Sequence, residues 1–209
     1  MRILLVEDSE KHLNDALEVV ERIKSKEEID VVCAGTLEEA LKMLSQCDVL
    51  VSDVFFPEMP GEAAESSVKP PWDGYKNDEM GWVHYAEQHI SGVKLAKASL
   101  ALGIPVVLCT SSYHHADKTQ PACSWARCHG MELVDSYSAT REKDATTKEW
   151  TTAFLFALYM YKSGKKILPH MYNSLFTRGR EGFLQCLEKD PVLKDAVILF
   201  GISAYGWSA

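Results

Sequence analysis

Nowhere in its 209 residues does the chain carry an apolar run approaching the roughly eighteen residues that a membrane span requires, so contact with a membrane is not expected. It has no excess of positive charge: 22 Lys and Arg face 30 Asp and Glu, a formal net charge of −8, which argues against a general nucleic-acid surface. It has no CxxC pair. The six cysteines (33, 47, 109, 123, 128 and 186) lie scattered in apolar or helical stretches, which suits reduced thiols in a cytoplasmic protein better than a disulfide framework. It has no repeat or low-complexity tract, and its start, MRILLVEDSE, turns acidic at Glu7, which fits a buried strand and not a signal peptide.

What is present is an alternation of short apolar runs and amphipathic segments. Arg2 to Val6 reads as a strand buried on both faces and ending in Glu7 and Asp8. Ser9 is a helix N-cap ahead of Leu13, Ala16, Leu17, Val20 and Ile23 at helical spacing. Ile29 to Ala34 is the next strand, and Thr36 with Glu39 makes a capping box before Ala40, Leu41 and Leu44. Asp48 to Asp53 and Ile104 to Cys109 are two further strands with a helix, Val93 to Leu102, between them, and Met131 to Val134 is a weak fifth. Thr146 and Glu149 predict a second capping box ahead of Trp150, Ala153, Phe154, Ala157, Leu158 and Tyr161.

Such alternation implies a doubly wound, mostly parallel α/β sheet covered on both faces, with its ligand site beyond the carboxyl ends of the strands. Glu7, Asp8, Asp53 and Thr110 all fall there. Three carboxylates brought together repel unless a cation neutralises them, and Mg²⁺ prefers such hard oxygen ligands. The Thr110 hydroxyl can donate to a phosphoryl oxygen. Each acid taken singly is as well read as a solvated residue at a strand end; their coincidence favours a functional pocket.

ILLVEDS (residues 3–9), DVLVSDVFFPEMPG (48–61), GVKLAKASLALGIPVVLCTSS (92–112) and, weakly, HGMELVD (129–135) together make the sequence resemble the receiver domain of two-component response regulators, over about two thirds of the chain. The resemblance implies a five-stranded parallel sheet in the flavodoxin-like order 2-1-3-4-5. It further implies that Asp53 is the phosphoacceptor, that Glu7, Asp8, Asp53 and the Phe55 carbonyl hold Mg²⁺, and that Thr110 binds the phosphoryl group. A carboxylate attacking a phosphohistidine needs positioning and charge neutralisation more than a strong base.

One family feature is missing. Receivers end the fifth strand in a lysine that pairs with the phosphoryl group, preceded on that strand by an aromatic; here the stretch is Leu133, Val134, Asp135, Ser136, with Glu132 before it. Either Lys143 or Lys148 reaches back from the loop before the Trp150 helix, or switching is weakened. Ordinary surface exposure is the favoured reading of both lysines.

The expected organisation is a receiver-like domain over 1–163, interrupted by an insert at 57–91, and a helical C-terminal extension over 164–209. The insert, with Pro60, Pro70, Pro71, Trp72, Trp82 and Tyr85, is anchored over the proposed site and reads equally as a lid or as a self-packing segment. The extension predicts two helices, one before Glu188 and one opened by Asp190 with Pro191 at its first position. Despite Arg178 and Arg180 it shows no helix-turn-helix pattern, so DNA binding is not expected. Its apolar residues suit packing on the receiver or on a second copy, a homodimer. His114, His115, Cys123, Cys128 and His129 cluster but have poor zinc spacing, and thiols packed in a helix are the better reading. The functional expectation is a signalling protein that takes a phosphoryl group from a sensor histidine kinase or phosphotransfer protein and acts on a downstream protein. The alternatives are a non-phosphorylated pseudo-receiver and a Mg²⁺-dependent phosphohydrolase; the second is disfavoured by Phe55 standing where a general acid would follow Asp53.

Overall fold

A computed structural model describes residues 1–64, 79–112, 117–131, 133–134, 148–164 and 187–199. The elements run β1 (Arg2–Val6), α1 (Glu10–Lys24), β2 (Asp30–Ala34), α2 (Leu37–Leu44), β3 (Val49–Asp53), α3 (Glu79–His89), α4 (Ser91–Ala101), β4 (Val106–Cys109), α5 (Gln120–Cys128), β5 (Leu133–Val134), α6 (Trp150–Ser163) and α7 (Pro191–Leu199). The strands form one parallel sheet in the order β2-β1-β3-β4-β5. This is the 2-1-3-4-5 arrangement of the receiver fold.

Local chemistry sets the helix starts. The Ser9 hydroxyl accepts from the His12 N–H at the head of α1 (3.5 Å). Thr36 Oγ1 accepts from the Glu39 N–H (3.3 Å), while Glu39 Oε2 reaches back to the Gly35 N–H (3.0 Å). That carboxylate caps one residue upstream of the Thr36 amide a capping box would use.

Period-two alternation along the strands divides the core. Ile3, Leu5, Val49, Val51 and Val107 pack under α1, α6 and α7, whereas Leu4, Val6, Leu50, Val106 and Leu108 pack under α2 to α5. Burial at about 25 cal/mol per Å² of apolar surface makes these two layers the main stabilising term.

Three expectations change. The insert is not one long loop, because its second half is α3. There Val83 and Ala86 are buried, and Glu87 accepts a hydrogen bond from Trp125 Nε1 in α5 (3.1 Å). Trp82 and Tyr85 therefore sit on a helix packed down on its neighbour; Trp72 lies outside the described residues. Glu149 is the N-cap residue of α6, with no side-chain capping bond, rather than the third helical residue of a capping box; Thr146 is outside the described residues. Cys123 is buried in α5 but Cys128 is exposed, so only one of those thiols is packed. His114 and His115 lie outside the described residues.

The second helix of the extension is present. The Asp190 carboxylate accepts from the N–H groups of Val192 and Leu193 (3.2 and 3.3 Å) and from the Tyr159 hydroxyl (2.8 Å), and Leu193, Ala196 and Val197 are buried against the α1 and α6 face. Of the chain around the earlier tail helix only 187–189 are described, and they are helical; Arg178 and Arg180 fall outside the described residues. Among those residues no helix is long and apolar enough to cross a membrane.

Candidate functional site

Adjacent strands place the acids together. Register pairs Val6 of β1 with Ser52 of β3, and Asp53 with Cys109 of β4, so Glu7, Asp53 and Thr110 stand side by side at three neighbouring carboxyl ends. Carboxylate oxygens of Glu7, Asp8 and Asp53 lie within 4.8 Å of one another. Glu7 and Asp53 are buried and Asp8 is exposed, so the cluster opens to solvent on one side.

Each buried carboxylate is held. Glu7 Oε1 accepts from the Ser9 N–H (3.0 Å), with His12 Nδ1 at 3.8 Å. Asp53 Oδ1 accepts from the Val54 N–H (2.7 Å). Behind them, the Gly92 N–H at the head of α4 donates to the Val54 carbonyl (3.1 Å), and a β-carbon at Gly92 would stand 2.4 Å from the Asp53 carbonyl oxygen. Only glycine lets α4 approach this closely.

A cation does stand in the cluster, and it is Lys148. Its ammonium lies 2.9 Å from Asp53 Oδ2 and is hydrogen-bonded to Glu7 Oε2, and the residue is only 8% exposed. Surface exposure, the favoured expectation for this side chain, is therefore wrong. It enters from the two residues preceding α6, and its Nζ lies 5.5 Å from the ring centroid of buried Trp150, which with Glu7 and Asp53 forms its pocket. Lys143, Asp135 and Ser136 lie outside the described residues. A polar residue just ahead of a strongly apolar helix, in a site with three carboxylates to balance, was the available signal.

Electrostatics follow from burial and pairing. Burial lifts the Asp53 carboxyl from its ordinary 3.8 to about 6, against the opposing pull of Lys148. Burial likewise raises Glu7. Burial works against the charge on Lys148, yet Asp53 and Glu7 outweigh it and hold the ammonium above its ordinary value. The Cys109 thiol, in register beside Asp53, is pushed well up by burial and is no nucleophile.

Thr110 is buried; its N–H donates to the Val134 carbonyl (2.9 Å), and its Oγ1 accepts from the Ser112 N–H (3.1 Å), which leaves the hydroxyl proton to give. Phe55 lies two residues beyond Asp53, with Lys118 Nζ 5.6 Å from the centroid of its ring. The donor set fits a hard divalent cation: three carboxylates bring three negative charges, and Lys148 offsets only one.

No protein-family model and no curated protein matches the chain. Two solved structures of the Salmonella typhimurium RcsB response regulator, described as showing conformational dynamism for DNA interaction, are similar to it at 16% and 14% identity. Both give a TM-score of 0.26, covering 97% of this chain and 93% and 94% of theirs. A likeness at that level carries no argument; the flavodoxin-like fold, which receivers share, rests on the strand order.

Proposed function

We propose that the chain is a cytoplasmic receiver-type signalling protein that accepts a phosphoryl group on Asp53. The observation that carries this reading is the Lys148 ammonium 2.9 Å from Asp53 Oδ2 within a buried acidic cluster at the strand ends. An Asp53 oxygen attacks the phosphorus of a phosphohistidine; the new P–O bond forms as the P–N bond breaks, and the leaving imidazole keeps the electron pair. Lys148 then pairs with the added phosphoryl oxygens, and the Thr110 hydroxyl donates to one of them. Glu7, Asp8, Asp53 and the Phe55 carbonyl would hold Mg²⁺, which supplies charge neutralisation at the transferring group. The donor is a sensor histidine kinase or a phosphotransfer protein, and the output is contact with another protein.

Incubation with acetyl phosphate and Mg²⁺ is expected to give an acid-stable, base-labile adduct, one phosphoryl group heavier in intact-mass measurement. Asp53→Asn should abolish it. An unchanged mass for the native protein would favour the pseudo-receiver, and an adduct surviving in Asp53→Asn would move the acceptor elsewhere.

Mg²⁺ should also act on stability in a pH-dependent way. With the folded-state pKa of Asp53 raised to about 6, the fold binds the proton more tightly than the unfolded chain does. Its ionisation therefore costs stability as pH rises from the ordinary value to about 6, and the cost is complete above that. A bound divalent cation relieves that cost only where Asp53 is ionised. Added Mg²⁺ is expected to raise Tm at about pH 7.5 and to have little effect at about pH 5. Equal shifts at both would show that the ion acts elsewhere.

A further inference from the structure

At the opposite end of the sheet from Asp53 lies a cavity of about 620 Å³, within the range of small-molecule sites. Its walls are apolar: Ile104, Val106, Val107, Met131, Phe156 and Met160. It exists because β5 is only two residues long and pairs with Leu108 and Cys109, which leaves the amino-terminal half of β4 paired with β3 alone among the described residues.

We infer that this cavity is a binding site for a small molecule with a hydrophobic body and a protonated amine. Three helices end at it. Gly103 follows the end of α4, His129 caps α5, and Gly164 caps α6 in the left-handed conformation (φ +65°), so three negative helix ends converge there. Asp48 adds a full negative charge at the same rim. No lysine or arginine lines the cavity among the described residues. Two cations of the described residues in neighbouring elements are engaged elsewhere: the Arg2 guanidinium pairs with Asp30 (3.1 Å), and Lys162, in the last turn of α6, pairs with Glu27. The His129 ring also lines the cavity, with its Nδ1 2.8 Å from the Trp125 carbonyl. Apolar walls closed by a carboxylate and negative dipoles select a cationic amphiphile over its neutral or anionic counterpart.

The test compares 4-phenylbutylamine, 4-phenylbutanol and 4-phenylbutyrate by titration calorimetry on the full chain. The amine is expected to bind saturably, at least about tenfold more tightly than the carboxylate, with the alcohol between. Asp48→Asn keeps an acceptor for the Arg2 N–H that now bonds Asp48 Oδ2 (2.7 Å), so the fold should survive while the preference for the amine narrows. Leu100→Trp, which fills the cavity from α4, should weaken all three ligands with the circular dichroism spectrum unchanged. Asp53→Asn should bind the amine like the native protein, which separates this site from the acidic cluster. Absence of saturable binding, equal affinity for amine and carboxylate, native affinity in Leu100→Trp, or loss of binding in Asp53→Asn would each overturn the inference.

Discussion

Lys148→Ala is expected to cost about 3–5 kcal/mol of folding stability near neutral pH, the range for removing one partner of a buried ion pair. The side chain makes two ionic contacts inside the protein, with Glu7 and with Asp53 Oδ2. Without it, two buried carboxylates face each other with Asp8 beside them, and among the described residues no other lysine or arginine pairs with either. In the absence of a bound cation the protein escapes by protonating one of them, and burial already raises the pKa of both. The deficit should therefore shrink at about pH 5, where protonation relieves the repulsion. It should shrink again in Lys148→Ala/Asp53→Asn, where one of the two buried charges is gone, so the double-mutant cycle gives a coupling of one to a few kcal/mol. Urea denaturation of the four proteins at both pH values measures this. A native urea midpoint for Lys148→Ala near neutral pH would remove Lys148 from any structural part in the cluster. The same variant should form the Asp53 adduct poorly, since the added phosphoryl oxygens would meet no fixed cation.

Lys148 also shows where reading residues in order stops. Glu7, Asp53 and Thr110 were legible because each directly follows or ends an apolar run, and a parallel sheet brings such ends together whatever the intervening chain does. The lysine obeys no such rule. It sits beyond β5, at the far side of a connection whose path neither hydropathy nor capping chemistry specifies, and a loop lysine is ordinarily solvated. Only charge balance pointed inward: a buried cluster of three acids needs a cation whether or not the usual strand supplies one. Helix α3 was missed for a different reason. Its sequence, EMGWVHYAEQH, mixes a glycine, two histidines and two aromatics without a clean apolar stripe, and proline-rich chain precedes it. Its helical state is supported from outside, by burial of Val83 and Ala86 and by the Trp125 to Glu87 hydrogen bond. The α6 start was misread by three residues because Glu149 satisfies the spacing of a capping box while standing at the cap itself.

Gly92→Ala should be damaging although it leaves every charged group in place. In an exposed helix the change would gain up to about 1 kcal/mol from helix propensity. Here the added methyl would stand 2.4 Å from the Asp53 carbonyl oxygen, 2.7 Å from the Val54 Cα and 2.8 Å from the Val54 carbonyl oxygen. All three are backbone atoms at the end of a buried central strand, so none can swing aside as a side-chain tip would. Helix α4 must back away, or the 53–54 peptide must tilt, breaking the Gly92 to Val54 hydrogen bond and misdirecting the Val54 N–H that orients Asp53 Oδ1. Overpacking of this kind typically costs about 1–3 kcal/mol, and against backbone the upper end applies, so the net effect is a loss despite the propensity gain. Adduct formation with acetyl phosphate should fall with it, because the acceptor oxygen is carried by the displaced peptide. Gly103→Ala is the matched control: its φ of +74° makes any side chain costly, by about 1 kcal/mol, but nothing lies within 4 Å of the new methyl. It should lower Tm modestly and leave the rate of phosphorylation unchanged. If Gly92→Ala is phosphorylated at the native rate, the approach of α4 to the Asp53 backbone has no part in positioning the acceptor.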